Sequence, residues 1–162
     1  VLNTGTDSLF FLAKDHALLK QGSYLLTLKA KDPFGQDVET KTHFTVYSPD
    51  SKEMPVNTLN WFVPVKTAGE PGEKASFLIG SKEENVNVIY EIRVHDSLQS
   101  RQWLKLNDQQ MLVEIPIKEQ YRGNFSVNFV FVRHNRSFQN SQVVTVPYSS
   151  KKLNIAFETF RN

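Results

Sequence analysis

The sequence predicts an all-β fold, an immunoglobulin-like antiparallel β-sandwich, and three observations support that prediction. Apolar and polar residues alternate through most of the chain, which is the period-two pattern of strands with one face on a core. Turn-forming residues recur about every 10 residues, a spacing typical of sandwich domains. No segment has a convincing helical period, so strands must supply the core.

The clearest hairpin begins at Asn124. Its first strand places four apolar side chains on one face: Phe125, Val127, Phe129 and Phe131. Residues 133–136 form a polar turn, and Ser137–Val146 returns as the second strand, which Pro147 ends. Because an isolated hairpin is at best marginally stable, we expect a second sheet to cover this aromatic face.

The same pattern predicts seven strands between Leu59 and Pro147. Five precede the clearest hairpin: Leu59–Val65, Lys74–Gly80, Val86–Val94, Arg101–Leu106 and Met111–Ile117. An earlier hairpin pairs a strand around Tyr24 with a strand at Val38–Val46. The turn between its strands has a physical basis, because Pro33 presets φ and Gly35 tolerates positive φ.

Composition excludes several classes of function. The 162 residues carry a net charge of +2, and Lys and Arg are scattered among Asp and Glu, so no basic stripe predicts a nucleic-acid partner. The chain has no Cys, which excludes disulfides and thiolate chemistry. No apolar run approaches membrane-spanning length, so we expect no direct membrane insertion, and the first residues do not have a signal-peptide pattern.

The two hairpins predict an internal repeat. Gly22-Ser23-Tyr24 and Gly123-Asn124-Phe125 each open a strand, and they lie about 100 residues apart, the length of one sandwich. The sequence therefore predicts four parts: residues 1–48 as the C-terminal part of one module, 49–58 as a linker, 59–148 as a complete module and 152–162 as the first strand of the next. Alternatively, the repeat is fortuitous and the first 48 residues complete one larger sandwich.

A family resemblance rests on three stretches, Gly22–Gly35, Pro71–Gly80 and Tyr121–Phe125. They resemble the macroglobulin-like domains of bacterial alpha-2-macroglobulin family proteins, most closely the Bacteroides-type members. The likeness covers nearly the whole chain, and Leu153–Asn162 resembles the opening of a following domain. It implies a macroglobulin-like sandwich, present here as a fragment with one complete domain and parts of its neighbours.

The resemblance implies a function for the parent protein rather than for a site in this chain. Members of this family are protease traps in which a bait segment is cut and a shell of macroglobulin-like domains rearranges, in some cases with capture by a Cys–Gln thioester. This sequence has no Cys and therefore no thioester. We expect a non-catalytic scaffold of an endopeptidase inhibitor, exported to the periplasm or the outer-membrane-associated cell surface. The implied partners are other macroglobulin-like domains and, through the full-length protein, proteases.

No residue pattern predicts an enzyme, a cofactor or a metal site. The four His lack metal-ligand spacing, and there is no nucleophile elbow, phosphate loop or His-Glu-x-x-His motif. Trp61 and Trp103 are candidate ligand contacts, because exposed indoles can stack on sugars, although a core position is the alternative for at least one of them. They favour an alternative function, a carbohydrate- or protein-binding module of a cell-surface adhesin or glycan-uptake protein.

Two serines match a short O-glycosylation pattern of Bacteroides-like bacteria. They are Ser8, in Asp7-Ser8-Leu9, and Ser97, in Asp96-Ser97-Leu98. The pattern predicts a modified hydroxyl at each position in the exported protein.

The last apolar segment predicts an oligomer. Leu153–Phe160 alternates like a strand but lacks the rest of its module. We expect its apolar face to pack on another chain or to pair with an edge of residues 1–48.

Overall fold

The computed structural model describes residues 19–148, which divide into two compact units between Ser48 and Pro49. Apart from a short 3₁₀ helix at Glu119–Tyr121, the regular elements in this range are β-strands that pair antiparallel, which confirms the predicted all-β fold. No helix in this range is long and apolar enough to cross a membrane. Ser8, the predicted strand at 152–162 and the packing expected for Leu153–Phe160 lie outside the described residues.

The first unit contains a long hairpin of two ten-residue strands, β1 (Gly22–Lys31) and β2 (Asp37–Val46). The strands pair in continuous register, with Gly22 opposite Val46 at the open end. One face is apolar, and on it the rings of Tyr24 and Phe44 stack with their centroids 5.5 Å apart. Leu28, further along the same face, is more than half exposed, so within the described residues this face is only partly covered.

The turn of this hairpin has the chemistry that the sequence predicts. The Asp32 carboxylate accepts hydrogen bonds from the backbone N–H groups of Phe34 at 2.9 Å and Gln36 at 2.8 Å. Gly35 adopts a φ of 82°, which an L side chain would resist. The carboxylate therefore replaces the backbone partners that the turn residues lack.

The second unit is a sandwich of two sheets. Three strands form one sheet in the order β3-β4-β7, and four form the other in the order β6-β5-β8-β9. The chain crosses between the sheets three times, which gives an immunoglobulin-like topology with the predicted seven strands. The strands are β3 (Trp61–Lys66), β4 (Lys74–Ser81), β5 (Val86–Val94), β6 (Ser97–Leu106), β7 (Gln109–Pro116), β8 (Gly123–Arg133) and β9 (Arg136–Val146).

Aromatic rings fill the space between the two sheets. The centroid of the buried Phe129 ring in β8 lies 5.4 Å from those of Phe62 and Phe77 in the opposite sheet and 5.5 Å from that of Tyr90. The predicted inward face of β8 is confirmed, because all four of its members are buried: Phe125, Val127, Phe129 and Phe131. Apolar burial of this kind stabilises the fold by roughly 25 cal/mol per Å².

Two hairpins of the four-stranded sheet close through two-residue turns. His95 and Asp96 connect β5 to β6 with φ values of 46° and 63°, and His134 and Asn135 connect β8 to β9 with values of 49° and 56°. Positive φ at both central residues is characteristic of the type I′ turn, whose twist matches that of the flanking strands. Residues 133–136 therefore form the predicted polar turn.

The predicted start of β6 at Arg101 is wrong, because the strand begins four residues earlier, at Ser97. The tight turn places Ser97 directly opposite Val94, so pairing starts as soon as the chain reverses. The register then shifts near Ile92, which marks a bulge that interrupts the alternation on β6. Weak alternation before Arg101 hid the first half of the strand in the sequence.

The segment before β3 packs on the three-stranded sheet. The Ser51 and Lys52 carbonyls accept hydrogen bonds from the side-chain and backbone N–H groups of Gln110, each at 2.9 Å. The Met54 sulfur lies over Gly80, where an added Cβ would come within 2.5 Å of it. Part of the stretch predicted as a linker is therefore fixed to the second unit.

Candidate binding surface

The outer face of the four-stranded sheet is built by strand alternation. Because every second residue of β5 and β8 points into the core, the residues between them face outward. The strand register then aligns these outward residues in rows across the sheet. One row contains Trp103, Ile89, Val130 and Gln139, and the next contains Arg101, Glu91, Asn128 and Ser141.

A shallow concavity of about 690 Å³ lies over these two rows. Its lining combines the apolar side chains of Ile89 and Val130 with polar groups on either side. Arg93 and Ser126 extend it towards the β5–β6 turn. Most of the lining comes from paired strands, so the backbone that shapes the concavity is already rigid without a ligand.

The structure separates the two tryptophans that the sequence singled out. Trp103 lies on β6, at one edge of the four-stranded sheet, and is 67% exposed. Trp61 begins β3 in the other sheet, opposite Gly80, and is partly buried. The two indoles therefore do not form one stacking platform, and neither belongs to the fully buried core. Ser97 is exposed at the start of β6.

A charged triad fixes the side chains beside Trp103. The Glu91 carboxylate accepts from Arg101 with one oxygen, at 2.6 Å to its nearer terminal nitrogen, and from Arg93 with the other, at 3.0 Å. These hydrogen bonds, that from Arg101 first and that from Arg93 second, hold the pKa of Glu91 below its ordinary value. Glu91 therefore remains ionised near neutral pH and holds both guanidinium groups in place.

Amide and hydroxyl groups continue the surface on the other side of Ile89. The Ser141 hydroxyl donates a 2.6 Å hydrogen bond to the Asn128 side-chain carbonyl, which fixes the direction of the Asn128 amide nitrogen. Gln139 lies one row away, opposite Val130. The four charged groups of the concavity are two arginines and two carboxylates, so its formal charge is zero: Arg93, Arg101, Glu91 and Asp96.

The arrangement is suited to binding through stacking and hydrogen bonds. Among residues 19–148, no three His, Asp or Glu side chains come together as a metal site needs. Sequence reasoning identified Trp103 but missed Glu91, Arg101, Asn128 and Gln139. Alternation on β5 and β8 could have placed Glu91 and Asn128 on the outer face, but only the strand register places them in the same concavity as Trp103.

A second polar cluster lies where β8 begins and β9 ends. The Arg122 side chain is only 13% exposed, forms an ion pair with Glu119, lies 3.3 Å from the Glu70 carboxylate and donates to the Pro147 carbonyl at 2.7 Å. The contact with Glu119 and then that with Glu70 raise the pKa of Arg122 above its ordinary value. The Tyr148 hydroxyl in turn donates to the Arg122 carbonyl at 3.0 Å. This cluster ties together three separate stretches of chain.

Comparison with known proteins places the sandwich in a family. The sequence model of one family, described as the Alpha-2-macroglobulin bait region domain, matches residues 59–162, which include all seven strands of the second unit. The chain belongs to this family. The resemblance to alpha-2-macroglobulins seen in the sequence is therefore confirmed, and the family description makes it more specific, because it names the bait region domain.

Two further comparisons concern the whole chain. Domains d3-d4 of the rat CD45 extracellular region, known from a crystal structure, are similar to the chain at 11% sequence identity and a TM-score of 0.32. That similarity covers 89% of this chain and 79% of the CD45 chain. No curated protein sequence matches the chain.

Proposed function

We propose that this chain is a non-catalytic β-sandwich segment of a large bacterial alpha-2-macroglobulin-like protease inhibitor. The observation that carries the proposal is the match of residues 59–162 to the bait region domain. In the full-length protein the segment supports a bait that proteases cut, and it contacts other macroglobulin-like domains. The parent is exported to the periplasm or the outer-membrane-associated cell surface, where it meets proteases.

The architecture of the sandwich supports a role as a stable scaffold for the bait. Proteases attack exposed, locally unfolded chain, whereas residues in paired strands become accessible only through costly opening. Residues 61–146 consist largely of such strands, and two of their connections are two-residue turns. This part of the bait region domain is therefore built to remain folded while a bait outside it is cut.

The first hairpin supports a modular parent protein. In β1–β2, Gly22 lies opposite Val46, and in β8–β9, Gly123 lies opposite Val146. Both glycines have positive φ, and in each hairpin the residue two positions later is an aromatic on the apolar face. We propose that β1–β2 is the closing hairpin of a preceding sandwich of the same kind, whose other strands cover its half-exposed apolar face.

The inhibitor role is tested with the full-length protein that contains this segment. A protease incubated with it is assayed on casein and on a small chromogenic peptide, because a trap excludes large substrates and admits small ones. We expect casein digestion to slow while peptide hydrolysis persists, and a sample of the protein cut to completion beforehand to have no effect. Equal rates on casein with and without the protein would refute the inhibitor role.

A further inference from the structure

The concavity beside Trp103 has the dimensions and rigidity of a ligand site. Its volume of about 690 Å³ falls within the range of roughly 300–1,000 Å³ that is usual for small-molecule sites. Strands β5, β6 and β8 supply most of its lining, so no loop has to close before a ligand enters. A preformed site of this kind loses little conformational entropy on binding.

The exposed indole of Trp103 is the part of this surface that would bury the most apolar area on binding a ligand. At 67% exposure it leaves a large apolar side chain in water, on a sheet whose other aromatic side chains are buried or partly buried. Ile89 lies directly opposite it on β5 and extends the apolar strip. A flat ligand with one apolar face and a polar edge would cover this strip, while the polar groups of the ligand stay hydrated.

The polar groups of the concavity are those that bind hydroxyls. Side-chain amides both donate and accept hydrogen bonds, as sugar hydroxyls do, and Asn128 and Gln139 lie within one row of the apolar strip. Arg101 adds planar donors next to Trp103, and its ion pair with Glu91 holds it in position. The ligand therefore meets oriented partners along one edge.

The charges decide which hydroxyl-rich ligand fits. Two arginines and two carboxylates give the concavity no net charge, and both Glu91 oxygens are already engaged by arginines. The concavity as a whole therefore offers no net charge that would attract a phosphate, a uronate or an amine. We propose that this concavity binds a neutral oligosaccharide, with one sugar ring stacked on Trp103 beside Arg101 and the following sugar units extended across the sheet, where their hydroxyls are hydrogen-bonded to Asn128 and Gln139.

A protein partner fits these observations less well. The centre of a protein–protein interface is apolar and becomes fully desolvated, with polar groups at its rim. Here charged side chains lie next to the indole and amide side chains lie further along the same concavity, so a protein surface would bury them at a desolvation cost. The sugar site is independent of the protease-inhibitor role, because its test uses sugar binding alone.

Intrinsic fluorescence and titration calorimetry test the site directly. The probes are four neutral hexasaccharides: cellohexaose, xylohexaose, mannohexaose and maltohexaose. We expect at least one to bind at or below about 5 mM, with a change in tryptophan emission. Trp103→Ala should weaken that binding at least about tenfold, and Gln139→Ala about threefold, because each loses a contact that forms only with the ligand.

Matched variants and a charged probe complete the experiment. Trp61→Phe, on the other sheet, should bind as the wild type does, and a hexagalacturonate should bind more weakly than the best neutral sugar. The absence of binding by all four neutral probes up to about 5 mM, or wild-type affinity in Trp103→Ala, would overturn the proposal. A concentration-dependent blue shift of Trp103 emission without sugar, with dimerisation, would also overturn it in favour of a protein contact.

Discussion

The carboxylate of Glu91 forms a 2.6 Å ion pair with the guanidinium of Arg101 on the outer face of the four-stranded sheet. The Glu91 side chain is only 17% exposed, whereas that of Arg101 is half exposed. Arg93 engages the second carboxylate oxygen, so one anion holds two cations. This geometry makes Glu91 the residue on which the order of the surface depends, and its ionisation should affect stability.

Replacing Glu91 by Gln should lower the free energy of unfolding by about 1 kcal/mol at pH 7. Because the folded-state pKa of Glu91 lies below its ordinary value of 4.5, its stabilisation is fully present above that value and is lost as pH falls through the folded pKa. Urea denaturation from pH 7 to about pH 3 should show the difference between wild type and E91Q shrinking at the acid end.

The control for this experiment is Glu114→Gln. Glu114 forms an ion pair with Lys74 at 2.8 Å, and its side chain is nearly half exposed, so water screens the pair. We expect a change below about 0.5 kcal/mol. A constant E91Q difference across the whole pH range would show that the carboxylate charge of Glu91 does not stabilise the fold.

Truncation of Phe129 should be the most damaging core substitution. Phe129→Ala removes a ring that contacts aromatic residues from both sheets, and we expect a loss of about 3–5 kcal/mol in unfolding free energy. Phe129→Leu should cost less, because it fills part of the cavity. Trp103→Ala, which also removes a large aromatic ring but from an exposed position, should change stability by about 0.5 kcal/mol or less. Similar losses for the two alanine variants would contradict this account.

The Arg122 cluster should hold the loop that contains Gly69 and Glu70 in place. Arg122→Ala removes contacts to Glu70, Glu119 and the Pro147 carbonyl, and should lower the unfolding free energy by about 1–2 kcal/mol. Hydrogen exchange should also quicken at the amide of Gly69, which donates to Thr145 in the same region.

Two further variants separate geometry from charge at this cluster. Arg122→Lys keeps the charge but cannot reach several partners with one planar group, so it should lose about half as much stability as the alanine variant. Arg136→Ala, at an exposed position on β9, should leave the exchange at Gly69 unchanged. Full stability of Arg122→Lys would mean that charge alone holds the loop.

Limited proteolysis should distinguish the two halves of the predicted linker. Chymotrypsin should cut after Tyr47, which is exposed, before trypsin cuts after Lys52, whose carbonyl is hydrogen-bonded to Gln110. Gly80→Ala should accelerate the cut at Lys52, because its Cβ would displace Met54 and the segment above it. Ser76→Ala on the same strand should not. Faster cleavage at Lys52 than at Tyr47 in the wild type would refute this assignment.

The strands and their inward faces were predictable because alternation is a local property. Phe125 and Phe129 share a face whatever they pack against, and the turn at His134-Asn135 follows from polar residues between two such strands. Only the start of β6 was badly placed, because the residues before Arg101 alternate weakly and the type I′ turn that begins the strand has no glycine.

The surface around Trp103 was only half predictable, because it depends on pairings between distant residues. Trp103 stood out because it is a tryptophan. Ile89, its partner on β5, and Val130, which lies opposite Ile89 on β8, come from strands whose register no local pattern specifies. The anchoring of the segment at Lys52 is likewise a long-range contact, with Gln110. Turn-rich composition predicted an exposed linker there, and tertiary packing overrode it.

The pairing of β5 with β8 has a consequence for folding during synthesis on the ribosome. Tyr90 in β5 lies opposite Phe129 in β8, so β5 must wait for a strand made about 40 residues later. At about 5–20 residues per second, the ribosome leaves the edge of β5 that pairs with β8 unprotected for roughly 2–8 s. During that interval the nascent sandwich is a ready substrate for aggregation, and a chaperone that shields it would raise the yield of folded protein.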